Sequence, residues 1–441
     1  KSEDSTLAKM VKLLAEAQAE KSNTQRFLEK AEQAYAAGVI AFTIGVFLVP
    51  WLFFGEGFSA AFYRAMTLMV VASPCALIIS TPATVLSAIG GAARRGILIK
   101  GGLHLESAAR VNIVCFDKTG TLTAGKPRVT HIITAGGVES PVQGTLSAEA
   151  SALLAACAAL EAKSEHPLAT AVVAAAGNLG VALRPAFGFQ SITGKGAEAE
   201  IDDVRFVVGS EGFLRELNAD RMEVFMHAAR TQQERGSTCI WLGRRSAGGK
   251  VEAVAVFALA DTIRPEARTI ASQLHKLGVK KVVMLTGDQK AVAKSIAAEA
   301  GIDEFYAELL PADKVQVVRQ LKEEGTVMMV GDGVNDAPAL AAANLGVAMG
   351  AAGSDIAMET ADVVLMGDKL ENIAALVGMS RHAKRVLLQN LTFASGVIVV
   401  LVAAALGFAL PLPIGVIGHE GSTVLVCLNG LRLLVYRPKS S

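Results

Sequence analysis

Val111-Asn-Ile-Val-Cys-Phe-Asp117-Lys-Thr-Gly-Thr-Leu-Thr123 is the stretch on which the reading of this chain turns. Val111–Phe116 is a short apolar run, the pattern of a strand buried on both faces. It delivers the carboxylate of Asp117, followed at once by small and hydroxyl-bearing residues. A carboxylate so placed can attack a phosphoryl group, while turn amides and threonine hydroxyls hold the transferred oxygens. That chemistry needs a positive charge on the phosphoryl group and a hard metal ion bridging it to the nucleophile. Lys314, in Pro311-Ala-Asp-Lys314, can supply the charge. Asp332 and Asp336, in Gly331-Asp-Gly-Val-Asn-Asp336, can hold Mg²⁺, and Thr286 can bond a phosphate oxygen.

Two more apolar runs behave like the first. Val282–Leu285 ends at Thr286-Gly287-Asp288, and Thr326–Val330 ends at Gly331. Strands that each present a polar loop at their carboxyl ends, with helical patterns between them, predict a parallel α/β sheet with its active site along that edge. Residues 125–257 separate the first strand from the others and carry strand and helix signals of their own. They predict an inserted α+β second domain, with 111–124 and 258–380 forming the domain that carries Asp117.

Outward from this core the chain turns apolar. Of its 441 residues 52% are hydrophobic and 19% charged, at a net charge of +1, so no global field draws it to nucleic acid. Residues 33–55 and 65–93 carry no charge, and 386–435 form a second hydrophobic block turning at Leu410-Pro-Leu-Pro413. About 20 apolar residues span a bilayer. Four spans are therefore expected, at about 34–55, 65–93, 386–409 and 413–435. Arg94, Arg95, Lys100, Arg381, Lys384, Arg385, Arg432, Arg437 and Lys439 cluster at their ends, which places those ends and the residues between Arg95 and Arg381 in the cytoplasm. Residues 1–33 show apolar positions at helical spacing and predict an amphipathic linker helix. The chain opens at Lys1 within that pattern, as a piece of a longer protein would.

Cys75, Cys115, Cys157, Cys239 and Cys427 form no Cys-x-x-Cys pair, which disfavours a disulfide scaffold or a zinc ribbon. Ser73-Pro74-Cys75 lies inside the second span, where Pro74 cannot donate to Val70. Broken helix in a membrane is tolerated where it is packed or lines a cavity. His419 and Glu420 place ionisable groups in the last span, which is costly and usually functional. Thiolate, imidazole and carboxylate together suit Zn²⁺, Co²⁺, Cd²⁺ or Ni²⁺ better than alkali or alkaline-earth ions.

Asp117-Lys-Thr-Gly-Thr-Leu-Thr123, Thr286-Gly-Asp288 and Gly331-Asp-Gly-Val-Asn-Asp336, in this order, resemble the P-type ATPases, whose phosphorylation domain has a haloacid-dehalogenase-like (Rossmann-like) fold. The resemblance implies a catalytic set of Asp117, Lys118, Thr119, Thr286, Gly287, Asp288, Lys314, Asp332, Asn335 and Asp336, with Mg²⁺ held by Asp117, Thr119 and Asp332. Ser164-Glu-His-Pro-Leu168 resembles the nucleotide domain of the heavy-metal-transporting subfamily, which implies that Glu161, His166, Gly194 and Gly196 line the ATP pocket. That family usually has Asn where this chain has Ser210. Ser-Pro-Cys with His419-Glu-Gly-Ser-Thr423 is similar to the cobalt, zinc and cadmium subgroup, and implies a transported-ion site of Ser73, Cys75, His419, Glu420 and Thr423.

The implied activity is ATP-driven transport of a divalent transition metal, probable export by family analogy, through an aspartyl phosphate. The protein would act as a monomer in a bacterial inner membrane. The family's actuator loop, Thr-Gly-Glu, and its first spans are not in these residues. A membrane-anchored phosphatase of the same soluble fold, or a pump for another cation, is the alternative.

Overall fold

The computed structural model describes residues 23–436, apart from 142–145, 165–166, 193–194, 247, 289, 333–335, 350–358, 368 and 409. Most of the linker helix expected over 1–33, and the basic residues Arg437 and Lys439, lie outside the described residues.

Among the described residues, four helical stretches are long and apolar enough to cross a membrane: Thr24–Phe53, Phe58–Ala93, Glu371–Gly407 and Leu412–Val435. They contain α1 (Asn23–Phe53), α2 (Phe58–Val71), α3 (Cys75–Ala93), α4 (Glu371–Gly407) and α5 (Leu412–Leu431). The second stretch is interrupted between α2 and α3, at Pro74. Both α1 and α4 begin earlier than the uncharged runs suggest. Charge marks where the bilayer ends, whereas the helix continues as long as its apolar face is buried. In α4 that extra length is covered at Ile373, Leu376, Val377 and Met379.

The chain divides into two compact units. One holds residues through Cys115, Gln273–Lys281 and everything from Val315 on; the other holds Phe116–Ser272 and Val282–Lys314. In the first unit the membrane helices pack through small residues. A Cβ on Gly430 of α5 would come within 3.0 Å of Thr84 Oγ1 on α3, and one on Gly415 within 2.7 Å of Val71. Close approach at glycine is the usual basis of helix association where lipid offers no hydrophobic drive. Asn390 of α4, only 2% exposed, ties three helices together. Its Nδ2 donates to Val426 O at 3.1 Å and to Thr84 Oγ1 at 3.3 Å, and its Oδ1 accepts from Asn429 Nδ2 at 2.7 Å.

The strands, in chain order, are β1 (Ile97–Ile99), β2 (Ile113–Asp117), β3 (Thr123–Thr134), β4 (Gly137–Glu139), β5 (Phe187–Ile192), β6 (Gly196–Ile201), β7 (Val204–Gly209), β8 (Thr238–Arg245), β9 (Val251–Ile263), β10 (Lys281–Leu285), β11 (Glu304–Tyr306), β12 (Val327–Gly331), β13 (Leu345–Ala348) and β14 (Val363–Leu365). One seven-stranded sheet has the order β1-β14-β13-β12-β2-β10-β11. Its β10–β11, β12–β13 and β13–β14 pairs are parallel, and β1 closes the edge antiparallel to β14. β2 and β12 are buried at every position, as their unbroken apolar runs require.

The second sheet, wholly within the second unit, runs β4-β3-β9-β8-β7-β6-β5 and every pair is antiparallel. Its faces alternate with period two. Ile240, Leu242 and Phe257 join the cluster formed with Leu154, Leu160 and Val172 of the helices Ala148–Glu161 and Pro167–Asn178. Trp241 and Val256 point the other way, into a cluster with Phe213 and Phe225. β3 and β9 pair from Thr123↔Ile263 to Ile133↔Val256. Both strands continue past 124/125 and 257/258, where the sequence suggests that one domain gives way to the next, with register irregularities between Thr123 and Pro127 and between Val129 and His131.

Candidate active site and ion-binding break

β2 ends on Asp117, and the chain turns back within five residues, Lys118–Leu122. Gly120 has φ +73°, in the left-handed region that favours glycine. Asp117 is 5% exposed. Its Oδ1 accepts from Lys314 Nζ at 2.6 Å, and Lys314 is itself buried. The tight turn thus holds a carboxylate out of bulk water beside a cation. Lys118 Nζ donates to Asp288 Oδ2 at 2.5 Å. Asp288 is fixed in turn by its own N–H, which donates to Thr286 Oγ1 at 3.1 Å. Thr286 is buried. Gly287 sits where a Cβ would come within 3.2 Å of Leu309 O. Thr119 lies in the turn itself.

Two residues that bond to this turn, from the end of β9, escaped the sequence reading. Arg264 Nε donates to Thr123 O at 3.1 Å, its Nη2 donates to Gly120 O at 3.1 Å, and its own N–H donates to Leu122 O at 2.9 Å. Asp261 accepts from the Thr123 hydroxyl and from Gly125 N–H, the latter at 3.1 Å. The two hold the turn after Asp117 from its carboxyl-terminal side. Their signal was available as an Asp and an Arg at the polar end of an otherwise apolar strand, just before Pro265.

In the first unit, β12 delivers Asp332, which is half-buried, and Asp336, which is 1% exposed. Asp336 folds back over Gly331, where any Cβ would meet Asp336 Oδ2 at 2.9 Å. Both are hard oxygen donors of the kind Mg²⁺ takes. Asn335 lies outside the described residues.

Glu161 and Gly196 line a cavity of about 330 Å³ with Ser164, Leu168, Lys195, Ser210 and Thr238. Burial raises the Glu161 carboxyl above its ordinary range, opposed by a hydrogen bond with Ser164. Gly196 has a local reason to be glycine, since a Cβ there would fall 2.0 Å from Val208 O across the β6–β7 pair. Ser210 caps the helix Glu211–Glu216, its Oγ accepting from Phe213 N–H at 3.2 Å. His166 and Gly194 lie outside the described residues.

Within the membrane helices Ser73 Oγ and Cys75 Sγ stand 3.1 Å apart at the break. His419 is 4% exposed, whereas the Glu420 side chain is 63% exposed and stands 3.8 Å from His419 Nε2. Thr423 is buried and its hydroxyl donates back to His419 O at 3.3 Å. Among the described residues no three His, Cys, Asp or Glu gather closely enough to hold a metal ion. Cys75, His419 and Glu420 are therefore not drawn into one cluster in this conformation.

Residues 111–344 match the model of the haloacid dehalogenase-like hydrolases. The chain is 38% identical over 441 residues to a probable cadmium-transporting ATPase of Staphylococcus aureus strain MRSA252, covering 99% of this chain and 59% of that one. It is 41% identical over 433 residues to a probable cobalt/nickel-exporting P-type ATPase of Mycolicibacterium smegmatis, covering 98% and 63%. The crystal structure of a zinc-transporting PIB-type ATPase in its E2.Pi state superimposes with a TM-score of 0.81 at 38% identity, covering 98% of this chain and 68% of that one. The chain thus spans about three fifths of the length of these curated relatives.

Proposed function

This chain belongs to the heavy-metal-transporting P-type ATPases, and from that premise we propose that it couples ATP hydrolysis at Asp117 to export of a divalent transition-metal ion such as Zn²⁺, Co²⁺ or Cd²⁺. The observation that carries this reading is the buried Lys314–Asp117 pair at 2.6 Å, on a loop too tight to serve as a mere connection.

ATP docks in the cavity lined by Glu161 and Gly196, with His166 and Gly194 assigned to the same pocket by motif. A carboxylate oxygen of Asp117 attacks the γ-phosphorus; the bond to the β,γ-bridging oxygen breaks, ADP leaves and an acyl phosphate forms. Lys314 withdraws charge from the phosphoryl oxygens, and Thr286 donates to one of them. Lys118, held by Asp288, closes the loop on the same side. By motif, Asp117, Thr119 and Asp332 would hold Mg²⁺, which would offset the charge of the phosphates, and Asn335 and Asp336 are assigned to the same catalytic set by motif. Water then attacks the phosphorus and inorganic phosphate departs. The ion binds at the helix break through Ser73 and Cys75, with His419, Glu420 and Thr423 drawn in when it arrives. The protein works as a monomer in a bacterial inner membrane, with its α/β parts in the cytoplasm.

Radiolabelled ATP tests the reading. Wild-type protein should form an acid-stable phosphoenzyme that a divalent transition metal modulates, and Asp117→Asn should form none. Persistent labelling of Asp117→Asn would refute it.

A further inference from the structure

Between α2 and α3 the chain leaves helical geometry for three residues, and the backbone there must find other partners. Pro74 has no N–H, and Ser73 N–H turns to Val70 O at 3.3 Å. Helical bonding resumes only with Leu77 N–H and Ile78 N–H, both donating to Pro74 O at 2.9 and 3.1 Å. Within this gap the carbonyl of Ala72 accepts a hydrogen bond from the Tyr35 hydroxyl of α1 at 2.8 Å.

Tyr35 also lines a cavity of about 280 Å³, whose wall includes Glu32 of α1, Pro74 of the break, and Leu77 and Thr81 of α3. The hydroxyl of Thr81 is buried and has no protein partner. The cavity lies between α1 and the start of α3, beside the backbone break and one residue in sequence from Cys75.

We propose that Tyr35 is a positioning residue for the transported ion: by holding the Ala72 carbonyl, it fixes the unwound turn that sets Ser73 and Cys75 side by side. This inference rests on the reading of the break as the ion site. The physical content is preorganisation. Without the phenol, the turn at 72–74 samples other arrangements, and binding an ion must first select the one in which thiol and hydroxyl converge.

The test uses the protein in proteoliposomes, with Co²⁺ as the probe because its bond to a thiolate gives a near-ultraviolet charge-transfer band. Tyr35→Phe keeps the ring and removes only the hydroxyl. It should raise the Co²⁺ concentration for half-maximal ATP hydrolysis about fivefold, the scale of one net hydrogen bond. The thiolate–Co²⁺ band should weaken at subsaturating metal, while metal-free phosphorylation of Asp117 by inorganic phosphate stays at the wild-type level.

Cys75→Ser serves as the reference. If Cys75→Ser shifts Co²⁺ activation and Tyr35→Phe does not, the positioning role is overturned and the ion site stands. If neither variant shifts it, the ion-site reading itself fails and the proposal fails with it. Loss of phosphorylation by inorganic phosphate in Tyr35→Phe would show a general structural role and would also overturn the proposal.

Discussion

Lys314 Nζ lies 2.6 Å from Asp117 Oδ1, and both side chains are almost wholly withdrawn from solvent. The two come from sequence positions nearly two hundred residues apart, so the fold, and not local sequence, makes the pair. Removing the cation takes the positive partner from a buried carboxylate, and in the proposed reaction it would take a positive charge from the phosphoryl group. Lys314→Met should lower the rate of phosphoenzyme formation by roughly 10²–10³-fold. Rapid-quench labelling with ATP checks this; a rate within threefold of wild type would remove Lys314 from the chemistry.

Arg264 holds the turn after Asp117 and the start of β3 by two side-chain hydrogen bonds and one from its backbone N–H. Lysine keeps the charge but cannot reproduce the planar fork. Arg264→Lys should destabilise the protein by about 1–3 kcal/mol and slow phosphorylation, with metal affinity unchanged. Thermal melting and the same quench assay separate the two effects.

Glu161 provides a pH signature. Its carboxyl titrates above the ordinary value in the folded protein because burial disfavours the charged form. The folded state then binds its proton more tightly than the unfolded chain, so this group's stability contribution is intact below the unfolded value and is lost as pH rises through the folded one. Glu161→Gln removes that loss. The melting temperature of the variant relative to wild type should be higher at neutral pH than at about pH 4.5, the ordinary value. An equal difference at both would contradict the burial argument.

Ser210, the residue out of keeping with its family, is a helix cap in the structure. Ser210→Ala should cost about 1 kcal/mol of stability, and Ser210→Asn should be nearly neutral because Asn caps equally well. Calorimetry on the two variants checks the cap. ATP titration then asks separately whether the family's amide adds a contact.

The fold class was legible because buried parallel strands and membrane spans leave strong compositional marks. β2 and β12 read as unbroken apolar runs, and the membrane segments as charge-free ones. Helix ends were not legible. α4 keeps its geometry through Arg381, Lys384 and Arg385, and nothing in helix propensity stops it there. The division at 124/125 was drawn where the motif ends, yet β3 passes straight through, since its pairing with β9 continues on both sides. Arg264 and Asp261 went unnoticed because their role depends on backbone carbonyls and amides, which carry no letter in the sequence. Glu420 shows the converse: chemistry alone grouped it with Cys75 and His419, and only coordinates show its carboxylate turned outward.

The 37 residues of α4 form one helix, about 55 Å long at 1.5 Å per residue. At its cytoplasmic end Arg381 Nη2 donates to Val111 O at 2.6 Å, two residues ahead of β2; further along, Asn390 grips α3 and α5. No proline interrupts the stretch between them to absorb a bend. A helix with no soft point between those two grips would pass a small displacement at the root of β2 on to the membrane segment, like the stroke of a push-rod.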